Sequence, residues 1–167
     1  FVGFCIAASA NVLAEHLPVR TYTRVDGLPS NHVECVHRDS RNLLWFCTAE
    51  GVAWFDGYEF RSFGLRDGLP SSFVSDTLEL RDASYWIATA KGLCRFDPIR
   101  YPSQAHSARF VCLSPAETEG ASNVRVLLES RAGVLWVGTA GGLYRAELTR
   151  GDWRLSYVPL DQPATQW

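Results

Sequence analysis

Methionine is absent from all 167 residues, position 1 included. A translated chain opens on Met, so the expectation is that the natural start lies upstream. No block of like charge occurs, and 16 basic against 18 acidic residues leave a formal net charge of -2. Such a chain lacks the basic footprint of a nucleic-acid binder. There is no Gly-x-Ser-x-Gly elbow and no glycine-rich phosphate loop, so neither serine-hydrolase nor nucleotide chemistry is expected. Carboxylates lie in turns, and no glycosidase pair follows from their spacing. No window carries a capped 3.6-residue apolar period, which leaves little room for helix. Nothing after residue 14 is apolar enough to span a membrane, which takes about 20 residues. Residues 1–14, FVGFCIAASANVLA, are uncharged and rich in small side chains. They read as part of a secretory signal, the apolar region and cleavage site without the basic start; a buried strand or a helix end are the other readings.

Hydrophobic residues make up 47% of the chain and aromatics 13%, with 13 Gly and 8 Pro. That mixture fits many short strands joined by tight turns. The order in which it recurs is more informative. Asp26-Gly27-Leu28-Pro29-Ser30 returns 41 residues later as Asp67-Gly68-Leu69-Pro70-Ser71. A second pattern, W-x-x-T-x-x-G, occurs in three copies: Trp45, Thr48, Gly51; Trp86, Thr89, Gly92; and Trp136, Thr139, Gly142. The second Trp follows the first by 41 residues and the third follows the second by 50, so the middle unit carries an insertion, IRYPSQAHSA at 99–108.

Each unit reads as four strands, in the first copy roughly His32–Arg38, Leu43–Ala49, Val52–Phe55 and Tyr58–Gly64. Asp56-Gly57 between apolar runs is a hairpin signal. Four short strands at this period make propeller blades, each too small to bury both faces alone. A Trp at one position per blade is expected to fill the gap between neighbouring sheets. The fold class is therefore all-β: a β-propeller fragment of about three four-stranded antiparallel blades plus one spare N-terminal strand, Val19–Arg24. The expected boundaries are 1–14 for the partial signal, 15–25 for a linker and latch-type strand, 26–66, 67–122 and 123–160 for the blades, and 161–167 for a tail.

Cys35, Cys47, Cys94 and Cys112 are scattered through predicted strands without a Cys-x-x-Cys pair. They read as small, buried, unpaired strand residues, with pairing left open for an exported chain. Cys35 and His37 share one strand face, but two ligands do not complete a metal site. No metal and no cofactor is expected.

At these residues the chain resembles the two-component regulator propeller repeat family, whose repeat runs D-G-L-P-S-N-x-V, a strand, D-x-x-G-x-L-W-I-G-T-x-x-G-L and F-D-G. Asp26–Val33, Leu44–Val52 and Phe55–Gly57 match it. Asp67–Val74, Trp86–Leu93 and Phe96-Asp97 match again, and Gly133–Thr139 with Gly142-Leu143 match a third time. Asn42 and Ser84 stand where the family has its turn Gly. The resemblance implies an exported sensor in a bacterial signalling receptor. Such propellers precede a small β-sandwich, a membrane helix and a cytoplasmic histidine kinase, in a membrane-anchored, dimeric protein. An unidentified small molecule or oligosaccharide is the implied partner, and no catalytic residue is expected in this portion. The alternatives are a protein-interaction scaffold and a propeller lyase or glycosidase.

If each blade's first strand is innermost, the loops from fourth to first strand and from second to third strand share one face. Asn31, His32, Glu50, Lys91 and Asn123 collect there and are the candidate ligand-binding residues, since binding groups concentrate on loops of a rigid scaffold. Asp26 and Asp67 are expected to shape their own turns instead.

Overall fold

A computed structural model describes residues 19–96, 110–115, 120–149 and 151–159. They form three four-stranded antiparallel sheets, each a simple meander in sequence order. The first holds β1 (Val33–Arg38), β2 (Leu44–Thr48), β3 (Gly51–Phe55) and β4 (Phe60–Phe63). The second holds β5 (Val74–Glu79), β6 (Tyr85–Thr89), β7 (Gly92–Phe96) and β8 (Phe110–Leu113). The third holds β9 (Val124–Glu129), β10 (Leu135–Thr139), β11 (Gly142–Thr149) and β12 (Asp152–Val158). First strands face one another, β5 touching both β1 and β9. This is a β-propeller segment of three blades. The partial signal, the insertion at 99–108 and the tail at 161–167 lie outside the described residues.

Burial between blades explains the tryptophan spacing. Trp45 is 2% exposed and stacks at 4.9 Å on Tyr85 of the next blade. Trp86 is fully buried and meets Trp153 of the third blade edge-on at 4.8 Å. One apolar layer joins Trp45, Val52, Leu69, Val74, Ile87 and Phe96; the other joins Trp86, Ala88, Leu93, Val124, Leu127 and Val137. All five residues of β6 are buried, because this strand packs against a blade on either side. Trp136 holds the same place in the third blade and is half-buried. Each such indole contributes about 3–5 kcal/mol by burial and packing.

The spare strand keeps its place without a ladder. Residues 19–23 pair with no strand among the described residues, and Arg24 belongs to a 3-10 turn, Arg24–Asp26, rather than to the strand. Yet Tyr22 packs on Phe55 at 5.0 Å and on Phe60 at 5.6 Å. Phe63, 41 residues on, packs likewise on Phe96 at 5.4 Å and Phe110 at 6.1 Å. Tyr22 thus does for the first blade what a fourth-strand residue does for the second.

The repeated Thr and Gly close the turn between second and third strands. Thr48, Thr89 and Thr139 donate their hydroxyls to the carbonyls of Gly51, Gly92 and Gly142 at 2.7, 2.8 and 2.9 Å. Each accepts from the amide two residues on, of Glu50, Lys91 or Gly141. Gly92 has φ 140°, and a Cβ there would lie 2.8 Å from the Leu113 carbonyl oxygen. At Gly51 a Cβ would strike the Phe63 carbonyl oxygen.

Two sequence expectations need correction. The cysteines are paired: Cys35–Cys47 joins β1 to β2 and Cys94–Cys112 joins β7 to β8, with Cα atoms 4.9 and 4.0 Å apart. Both pairs are directly opposed in the ladders, a register that spacing in the chain does not reveal. Ser84 is not the turn position. Ala83 takes positive φ (61°), as do Asn42 (66°) and Gly133 (79°), while Ser84 is buried and donates its amide to Asp82 Oδ1 at 2.9 Å.

These geometries give opposite expectations for two alanine–glycine exchanges. Ala83→Gly relieves a left-handed backbone and should raise stability by about 0.5–1 kcal/mol. Gly92→Ala meets both strain and a clash and should lower it by about 2–4 kcal/mol. Denaturant midpoints at unchanged slope check both; equal effects of one sign would contradict the turn assignment.

Candidate ligand-binding face

The Asp-Gly-Leu-Pro-Ser segment is occupied by its own turn. Asp26 Oδ2 accepts from the Thr23 amide and Asp67 Oδ2 from the Gly64 amide, both at 2.8 Å. Gly27 and Gly68 supply φ of 107° and 104°, and Leu28 and Leu69 are buried beneath. Ser30 and Ser71 hydroxyls accept from the amides of His32 and Phe73 at 3.2 Å. These groups are spent on backbone donors, as the turn chemistry predicts.

The loops do converge on one face. A repeated bond ties each second-to-third turn to the entry of the inner strand: Ala49 to the His32 carbonyl, Ala90 to Phe73 and Ala140 to Asn123, at 3.2, 3.2 and 2.9 Å. In the first blade this brings Asn31, His32 and Glu50 together around Arg24. The Arg24 amide donates to Asn31 Oδ1 at 3.0 Å, and its guanidinium to Glu50 Oε1 at 2.8 Å. Asn31 and Glu50 therefore brace the loop. His32 is open, with 71% of its side chain exposed and Glu34 Oε1 3.3 Å from Nε2. Lys91, at the place of Glu50 in the second blade, is exposed and has no side-chain partner among the described residues. Asn123, at the place of His32 in the third, is half-buried. Sequence reasoning missed Arg24 by assigning it to a strand, although an Arg opposite Glu50 on the predicted face was the available signal.

The inner strands carry a polar junction. Asp76 accepts from His37 Nε2 of the first blade at 3.0 Å and from the Leu127 amide of the third at 2.8 Å. The opposite face clamps neighbouring blades through their first hairpins. Ser40 donates amide and hydroxyl to Glu79 at 2.7 Å, and Arg81 donates its amide to Glu129 at 3.2 Å. Asp39 is buried there. Its Oδ2 accepts from Tyr85 OH at 2.6 Å and Trp45 Nε1 at 3.1 Å, and its Oδ1 from the amides of Arg41 and Leu43. Burial alone would raise the Asp39 carboxyl, but the bonds from Tyr85, Trp45 and the two amides outweigh it and hold it below the ordinary range. Burial, and then the bond to Asp39, push the Tyr85 hydroxyl far up, so it stays a donor. A separate open cleft of about 330 Å³ lies between the outer strands of the second and third blades, against Leu113, Tyr144, Trp153 and Arg154.

Residues 27–50 match the family described as two component regulator propeller. That segment, 27–50, holds one copy of the three-fold repeat and is similar to this family's repeat. No curated protein matches it by sequence. Among solved structures, extracellular domains of two component systems align over most of the chain. One is an extracellular domain assigned to the hybrid two component system BT3049 of B. thetaiotaomicron, at 19% identity and TM-score 0.65, covering 83% of this chain and 19% of that one. Another, assigned to the hybrid system BT4673 of the same organism, has 22% identity and TM-score 0.60, over 75% of this chain and 17% of that one. A catalytically inactive virginiamycin B lyase from Staphylococcus aureus with quinupristin aligns at 15% identity and TM-score 0.57, over 80% of this chain and 44% of that one. The repeat segment thus spans under a fifth of the two system domains, and these likenesses establish the propeller fold.

The Asp39 network sets a pH expectation. A carboxyl held low in the fold stabilises it fully above the unfolded value of about 4, and this contribution is lost as pH falls through the folded value. Asp39→Asn should cost about 2 kcal/mol at pH 7, with the gap to the parent narrowing toward pH 3. A gap constant across that range in urea unfolding would show that the Asp39 charge is not what matters.

Proposed function

We propose that this chain is part of the extracytoplasmic ligand-sensing propeller of a bacterial membrane signalling receptor of the two-component type. The regulator propeller repeat at residues 27–50 is the observation that carries this reading. The likeness to extracellular domains of hybrid two component systems supports it. Two disulfides support an oxidising compartment outside the cytoplasm. This portion is read as non-catalytic, with a membrane helix and a histidine kinase module elsewhere in a dimeric whole protein.

The ligand, a small molecule or oligosaccharide, is taken at the face bearing His32 and Lys91. Both project from turns whose other polar groups are already satisfied, so they are available to an incoming hydroxyl or carboxylate at little reorganisation. Asn31 and Glu50 contribute by holding Arg24 and the loop.

Calorimetric titration of the intact ectodomain with a panel of oligosaccharides tests the reading. Binding should weaken about tenfold in His32→Ala and in Lys91→Ala, the loss of one hydrogen bond each. Asn31→Ala should lower thermal stability instead. Affinity indifferent to both His32 and Lys91 would move the site off this face. The likeness to a lyase favours a propeller enzyme as the second reading, and elimination products from the same incubation would establish it.

A further inference from the structure

We propose that the Cys35–Cys47 disulfide is the closed form of a binding site for a thiophilic divalent cation of the zinc type, which opens when the disulfide is reduced. Along the chain, Cys35 and His37 supply two potential ligands on one strand face, too few for a site. The fold adds two more. The sulfurs of Cys35 and Cys47 and a carboxylate oxygen of Asp76 all lie within 4.8 Å of one another, and His37 Nε2 lies 3.0 Å from Asp76 Oδ1. Two thiolates and a carboxylate, with the His37 imidazole beside that carboxylate as a fourth donor in reach of a small shift, suit zinc, whereas calcium and magnesium require mostly oxygen ligands in greater number.

The surroundings are already arranged. Asp76 is oriented by the amides of Thr77 at 2.9 Å and Leu127 at 2.8 Å, which leaves lone pairs on its oxygens for a cation. His37 keeps 51% of its side chain exposed and Asp76 13%, so a cation has a route in along the inner strands to the buried Cys47. The donors come from β1, β2 and β5, so the cation would pin the first blade to the second. Reduction by a phosphine converts the disulfide and one water to two thiols and the phosphine oxide. Binding then displaces the two thiol protons as the two Cys–metal bonds form. The second disulfide is a built-in control: among the described residues, Cys94 and Cys112 have no third ligand beside them.

The test uses the full 167-residue chain with Cys5→Ser, Cys94→Ser and Cys112→Ser, reduced with a phosphine and titrated anaerobically with Co²⁺. We expect a thiolate-to-cobalt charge-transfer band and the visible bands of tetrahedral cobalt, saturating at one equivalent and abolished by competing Zn²⁺. The air-oxidised protein should show neither. His37→Ala on this background should keep the thiolate band but weaken zinc about 10–100-fold. A reduced chain without the thiolate band, whether or not its β-sheet circular dichroism persists, would overturn the proposal. So would equal affinity in the reciprocal variant, Cys5→Ser with Cys35→Ser and Cys47→Ser, since any cross-strand dithiol would then suffice.

Discussion

Face-to-face burial of one small sheet against the next is the constraint on which everything else here depends. A four-stranded meander of five-residue strands has two apolar faces and no interior of its own. Trp45 and Trp86 resolve this by filling the two gaps between blades, each reaching forward into the following sheet. The turns follow from that packing. Thr48 and Thr89 satisfy their own turns at full burial, because a backbone carbonyl left bare at the end of a blade would be cut off from water.

The two interfaces are built differently from equivalent positions. Between the first and second blades, Asp39, Trp45 and Tyr85 form a buried hydrogen-bonded triad. Between the second and third, the corresponding residues are Leu80, Trp86 and Leu135, all buried and apolar. The indole nitrogen of Trp86 consequently has no hydrogen-bond partner among the described residues. The first interface also contains His37 and the Cys35–Cys47 pair, whose places one blade on are taken by Leu78, Asp76 and Ala88. Chemistry in this molecule is concentrated at one joint of an otherwise regular array.

Legibility from sequence followed the same division. Period, strand count and the packing role of each Trp were readable, because they recur at a fixed spacing and a repeat exposes its own rules. Counting strands grouped the loops of Asn31, His32, Glu50, Lys91 and Asn123 on one face, as the repeated loop bonds do, yet the contacts of each side chain were not readable. Asn31 and Glu50 turned out to be committed to Arg24, a partner that becomes visible only when two loops meet. The cysteines were misread for a related reason: 12 and 18 residues separate the partners, and nothing in those intervals says that they stand opposite. Ala83 was missed because an alanine at positive φ leaves no compositional mark, unlike Gly133 at the same point of the third blade.

By itself the sequence determined the all-β repeat, its blades and the side of each blade on which the loops gather. These are consequences of local alternation, turn residues and chain order, which act between near neighbours. Tertiary structure alone decided which cysteines join, which loop carboxylates are consumed, and that Asp76 links three successive inner strands. Those outcomes depend on strand register and on the distance between blades, and both are set only when the sheets close on one another.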